Sequence, residues 1–224
     1  MMKRFARVAR LSVLCIFTLL FSYATAYAVP VADSVSEFSG VQGQDDWYYG
    51  YYTTPGDYTT FTQMTLFDPA GLWEESSTRP PWTALWDTGG HPGSSHWAVR
   101  RWVSEVSGIV TISGLLKDDD PNGGLGGVTG RILVDGVEVY NQIVDAYPGS
   151  TYGPPSVNYS ITVPVSMGSY VDFAIDPGWS ELYDGTTFTA IIDAAVTPVP
   201  EPATLLLLGS GLAGVAVLRR RFKK

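Results

Sequence analysis

The chain has 224 residues, 14 basic and 22 acidic side chains, a net charge of −8 and one cysteine. That balance excludes nucleic-acid binding by phosphate neutralisation, and a single cysteine forms no internal disulfide. Aromatic residues make up 13% of the chain, and many fall in loops.

At the start, Lys3, Arg4, Arg7 and Arg10 form a basic region, Leu11 to Phe21 an apolar one, and Ala26-Tyr27-Ala28 a small-x-small cleavage site. This order predicts a signal peptide over 1–28, with Val29 opening the mature chain. Cys15 lies inside the apolar region after Leu14; a lipoprotein cysteine follows a small residue, so no lipid is expected there. Cleavage removes the only thiol and with it thiol catalysis. Residues 29–200 then carry 5 basic groups (Arg79, Arg100, Arg101, Lys117 and Arg131) and 21 acidic ones, net −16. Such a body is soluble, attracts cations and repels anionic polymers unless divalent ions bridge them.

The body reads as all-β. Trp47 to Thr53 is aromatic and β-prone, Phe61 to Leu66 alternates, and Trp97 to Ser104 and Gly108 to Leu116 read as two further strands. Arg131 to Val134 and Val137 to Tyr140 flank Asp135-Gly136, a two-residue hairpin turn. Tyr159 to Val163, Tyr170 to Ile175 and Thr187 to Ile192 complete the set. No stretch shows a helical period. About eight to ten short strands with Gly, Pro and Asp turns predict a β-sandwich over 29–193, with a jelly roll the layout that fits best. The long connections are Asp68 to Ser95, Lys117 to Gly130 and Asp145 to Val157, and loops are where binding is usually built. Residues 194–200 read as a linker.

Sugar rings present apolar C–H faces on which planar aromatics stack while polar neighbours bond the hydroxyls. The stacking candidates are Trp47, Tyr49, Trp73, Trp82 and Trp86. Alternation puts Trp47 and Tyr49 on one face of their strand and Tyr48 and Tyr52 on the other, so one face is core and the other a platform. Trp73, Trp82 and Trp86 fit stacking and loop-pinning equally well, whereas Trp97 and Trp102 read as core. Asp118-Asp119-Asp120-Pro121-Asn122-Gly123 fits the first half of a calcium loop, with oxygens from Asp118, Asp120 and Asn122. The twelfth position is Thr129 rather than Glu, so the EF-hand match fails. The remaining options are an irregular calcium site and a solvated turn.

Catalytic motifs are sparse. His91 and His96 lie in a Pro-Gly-Ser-Ser loop, too few ligands for zinc, and no G-x-S-x-G elbow occurs. With 21 acidic residues, a glycosidase pair cannot be picked by sequence alone.

The C-terminus is the most specific stretch. Pro198-Val199-Pro200-Glu201-Pro202 is a rigid, exposed hinge. Ala203 to Leu218 is uncharged, and Arg219-Arg220-Arg221-Phe222-Lys223-Lys224 is a basic tail that the positive-inside bias keeps cytoplasmic. As a helix, 203–218 spans roughly 24 Å, short against a bilayer core of about 30 Å. Gly209, Gly211 and Gly214 weaken it further. An ordinary tail anchor is the alternative; a GPI signal normally ends in its apolar stretch rather than in cations. The arrangement resembles the PEP-CTERM sorting signal of Gram-negative bacteria that make extracellular polysaccharide. That resemblance implies Sec export, transient inner-membrane retention, processing near Pro200-Glu201-Pro202 by an exosortase-type enzyme, and release to the envelope, matrix or medium.

The body carries its own markers. They are Gln44-Asp45-Asp46-Trp47-Tyr48-Tyr49-Gly50, His91-Pro92-Gly93 with Trp97 to Trp102, Gly130 to Tyr140, and Val171-Asp172-Phe173-Ala174-Ile175-Asp176-Pro177-Gly178. Together they resemble sandwich domains of secreted bacterial proteins and are similar in layout to carbohydrate-binding jelly rolls. The resemblance implies non-catalytic polysaccharide binding. A structural or adhesive matrix protein is the first rival and a polysaccharide-cleaving enzyme the second.

Overall fold

The computed structural model describes residues 27–122, 126–196, 209–212, 215 and 219. The chain divides into two units, of which the larger, Ala28–Ala195, holds a β-sandwich. Its strands are β1 Tyr27–Asp33, β2 Trp47–Tyr52, β3 Phe61–Gln63, β4 Leu66–Phe67, β5 Trp73–Glu74, β6 Ala84–Trp86, β7 Gly89–His91 and β8 Trp97–Val103. The second half adds β9 Gly108–Asp118, β10 Val128–Val134, β11 Val137–Val144, β12 Ser156–Val165, β13 Tyr170–Asp176, β14 Thr186–Phe188 and β15 Ile191–Val196. In the other unit the described residues 209–212, 215 and 219 are helical. Among the described residues no helix is long and apolar enough to cross a membrane. The leader up to Ala26, the hinge Pro200-Glu201-Pro202 and the rest of the expected 203–218 helix and basic tail lie outside the described residues.

One sheet runs β1-β15-β9-β14-β7-β6-β5-β4, with β12 also on β9; the other runs β11-β10-β13-β8-β2-β3. The hairpin turn is as expected: Val134 pairs with Val137, and Asp135 and Gly136 have φ of 48° and 81°, the left-handed pair that such a turn requires.

Alternation along the strands sorts the side chains. From the six-stranded sheet Trp47, Tyr49, Trp102, Ile132, Val171, Phe173 and Ile175 face Leu85, Ile112, Leu116, Phe188 and Ile192 of the other sheet in one core. The opposite face of the six-stranded sheet holds a smaller cluster, Tyr52, Val99, Leu133 and Ala174. There Arg101 forms a two-pronged ion pair with Asp172 at 2.6 and 2.8 Å, and the Tyr52 hydroxyl donates to the same carboxylate at 2.6 Å.

The structure departs from expectation between Asp68 and Ser95. That stretch is not a long loop: it contains β5, β6 and β7, which widen the larger sheet. Likewise β15 runs on to Val196, into the residues expected as linker. The strand β1 begins at Tyr27, so the cleavage expected after Ala28 would trim its first two residues.

Candidate functional site

Period-2 alternation in β5, β6 and β7 builds one wall of a pocket. Trp73 and Leu85 point to the core and are 4% and 1% exposed, so Ala84 and Trp86 point the other way. Ala84 pairs with His91 and Trp86 with Gly89. Gly89 must be glycine, because a Cβ there would fall 1.8 Å from the Thr186 carbonyl oxygen of the neighbouring β14. Two connections, β9–β10 and β13–β14, supply the other walls. The cavity measures about 520 Å³ and is lined by Leu72, Trp82, Ala84, Trp86, Leu182 and Tyr183, with Arg79, His91, Asp120 and Glu181 as polar members.

Trp82 is 41% exposed and Trp86 half-buried, so both offer ring surface to the pocket. The Arg79 guanidinium lies 5.5 Å over the Trp82 ring and pairs with Glu74. Leu182 and Tyr183 are 59% and 51% exposed, and Trp179 on the same connection is 89% exposed. Tyr183 holds a φ of 70°, a sparsely populated conformation for a residue with a side chain.

The polar members are mostly acceptors. His91 Nδ1 lies 2.6 Å from the Pro92 carbonyl oxygen, and burial holds its imidazole below the usual value. The Asp120 Oδ1 accepts from the backbone and side-chain nitrogens of Asn122 at 2.9 and 2.8 Å. Among the described residues, Glu181 Oε2 is buried without a partner, as is Oδ2 of the neighbouring Asp184. Burial, and then the charges of Asp118, Glu181, Asp176 and Asp145, push the Asp184 carboxyl up to about 8.

The structure redistributes the stacking candidates. Trp82 and Trp86 are brought together in the pocket, whereas Trp47, Tyr49 and Trp73 are core and have no free face. Trp47 lies opposite Trp102 on paired strands, and its Nε1 donates to Glu37. Tyr49 stacks on Trp73 with ring centres 5.6 Å apart. The Tyr49 hydroxyl accepts from the Ser39 amide while Trp73 Nε1 donates to the Ser39 carbonyl. These three therefore pin the segment before β2 to the core. Trp102 is fully buried, as expected, and Trp97 partly so.

The calcium candidates Asp118, Asp120 and Asn122 lie at the end of β9 and in the turn that follows it. The two Asp118 oxygens accept the Asp120 and Ala146 amides at 3.0 and 2.8 Å, which closes the loop onto itself. Among the described residues no group of three or more His, Cys, Asp or Glu is gathered to hold a metal; Gly123 lies outside them. His96 bonds Glu75 at 2.8 Å and does not join His91 in the pocket.

Sequence reasoning missed Arg79, Glu181, Leu182, Tyr183 and Trp179. Arg79-Pro80-Pro81-Trp82 joins an aromatic to a base and Trp179-Ser180-Glu181-Leu182-Tyr183 joins aromatics to an acid, but nothing local shows that they meet.

No curated protein matches the sequence. Solved structures that are similar include the family 35 carbohydrate-binding module of Cellvibrio japonicus Abf62, 13% identical over 67% of this chain and 93% of that one, with a TM-score of 0.31. A family 35 module from Clostridium thermocellum is 16% identical over 47% and 82%, TM-score 0.29. An exo-β-1,3-galactanase from Phanerochaete chrysosporium is 12% identical over 75% of this chain and 29% of its own, TM-score 0.30. Residues 198–221 match the PEP-CTERM protein-sorting motif, and the C-terminal signal read from the Pro-Glu-Pro hinge, the apolar run and the arginines is borne out at those residues.

Proposed function

We propose that this is an exported, exosortase-processed protein whose β-sandwich binds polysaccharide without cleaving it, in the pocket between Trp82, Trp86 and Tyr183. The observation that carries the reading is the pairing of half-exposed indole rings with unfilled acceptors in an open cavity of about 520 Å³. Aromatic faces take the C–H side of a sugar ring and the acceptors take its hydroxyls. Export and processing are supported by the sorting motif at 198–221.

Hydrolysis is the second reading, because Asp120 and Glu181 line the same cavity. One experiment separates the readings. The body, residues 28–195, contains the whole two-sheet core and can be titrated with a panel of polysaccharides, following tryptophan fluorescence and polymer length, with calcium or chelator present. Saturable binding that weakens about tenfold or more in Trp82→Ala/Trp86→Ala, with polymer length unchanged, is the expected result. Shortened polymer points to the enzyme. The absence of any response points to a structural or adhesive role, and a chelator effect implicates a bound cation.

A further inference from the structure

The donor and acceptor character of the pocket selects among glycans. A carbonyl oxygen only accepts, so the contact to Pro92 places the His91 proton on Nδ1. Burial disfavours the charged ring, and in the neutral ring with its proton on Nδ1 the Nε2 is an acceptor. Glu181 adds a buried oxygen with no partner among the described residues. Asp120 adds an Oδ2 with no partner among the described residues, its Oδ1 being taken by Asn122. The one cation on the wall, Arg79, is already paired with Glu74 and laid on Trp82.

No other cation of the body is spare. Arg100 donates to the carbonyls of Ser34, Trp86 and Asp87. Arg101 is held by Asp172, Lys117 by Asp119, and Arg131 by Glu138 and Asp176. A ligand entering the pocket thus meets indole faces and unfilled acceptors, and no free positive charge.

We propose that the pocket takes an amino-bearing glycan, a polymer of hexosamine with free protonated amines, and rejects polyuronates and sulfated polysaccharides. The inference rests on the reading of the pocket as a sugar site. An ammonium group makes charge-assisted hydrogen bonds, stronger than those of a hydroxyl, to carboxylate oxygens, and gains from the negative face of an indole. An anionic sugar would meet unpartnered acids with no counter-charge.

The test is calorimetric titration of residues 28–195 at pH 6, in chelator, with three hexamers: glucosamine, N-acetylglucosamine and galacturonate. Glucosamine hexamer is expected to bind about tenfold or more tightly than its acetylated form, the worth of one charge-assisted bond, and galacturonate not at all. Glu181→Gln should shrink that ratio. Trp82→Ala leaves the net charge unchanged and should abolish binding. If glucosamine binding survives Trp82→Ala at full strength, the attraction belongs to the acidic body as a whole and the pocket assignment falls. Equal or tighter binding of the acetylated or uronate hexamer overturns the amine preference but leaves sugar binding standing. Failure of these and of the wider polysaccharide panel removes both.

Discussion

Asp184 shows how far one residue's surroundings shape the site. In an unfolded chain its carboxyl releases a proton near the reference value of 3.8, whereas in the folded body it does so near 8. The folded state therefore binds the extra proton between those limits. The stability this group confers is whole below about pH 4 and declines as the pH rises to about 8. Asp184→Asn keeps the shape of the neutral acid and discards the charge. Its thermal midpoint at pH 8 is expected to rise by about 3 °C, roughly 1 kcal/mol, with the gain gone at pH 4. Circular-dichroism melts at both values check this; equal midpoints at pH 8 would mean the acid carries no such burden. Arg100 is the opposite case. Burial lowers it to about 10, yet its guanidinium is held by three backbone carbonyls and lies 5.7 Å over Phe38, so it rivets the two sheets at the turn that carries Trp86.

At the scale of elements, the pocket depends on β6 and β7 keeping their place beside β14. Gly89 is the point of closest approach. Gly89→Ala is expected to cost about 1–3 kcal/mol, the usual penalty of overpacking, because its Cβ would strike the Thr186 backbone and not a side chain that can rotate away. Urea unfolding measures the loss, and an unchanged midpoint would mean that β7 and β14 part freely. These same elements explain what was legible. Long strands such as β2, β8, β9, β10 and β13 announce themselves by alternation and by the Asp135-Gly136 turn. The two- and three-residue strands β5, β6 and β7 carry too few residues for any period to show. Trp73 and Trp82 look alike in sequence. One faces the core and the other the pocket because Trp73 pairs with Leu85 across β5 and β6, a register no local pattern reveals. Glu181 and Tyr183 reach the pocket only because Thr186 and Thr187 pair with Gly90 and Gly89, some hundred residues away along the chain.

The whole molecule separates address from activity. The sorting motif at 198–221 begins two residues after the last strand ends, and the pocket lies within the larger unit. Replacing the hinge, Pro200→Ala/Glu201→Ala/Pro202→Ala, is expected to block processing and to leave polysaccharide binding by the body intact. Cell fractionation and an affinity pull-down read the two outcomes, and normal processing of the triple variant would sink the sorting assignment. The net charge of −16 between residues 29 and 200 acts at the same scale: it keeps the body soluble and biases every encounter toward cationic partners.

The first strand of the body, β1, lies beside the last, β15, and Ser34 just after β1 exchanges hydrogen bonds with Ala190 just before β15. This places a clock on folding. A chain threaded through a membrane from its N-terminus delivers β1 first, yet the strand waits for a partner until some 160 further residues have crossed. Contacts this distant in sequence form slowly, so the chain is in no position to complete its sandwich while translocation is under way. The topology that closes the larger sheet thus also makes its completion wait for the last strand of the body.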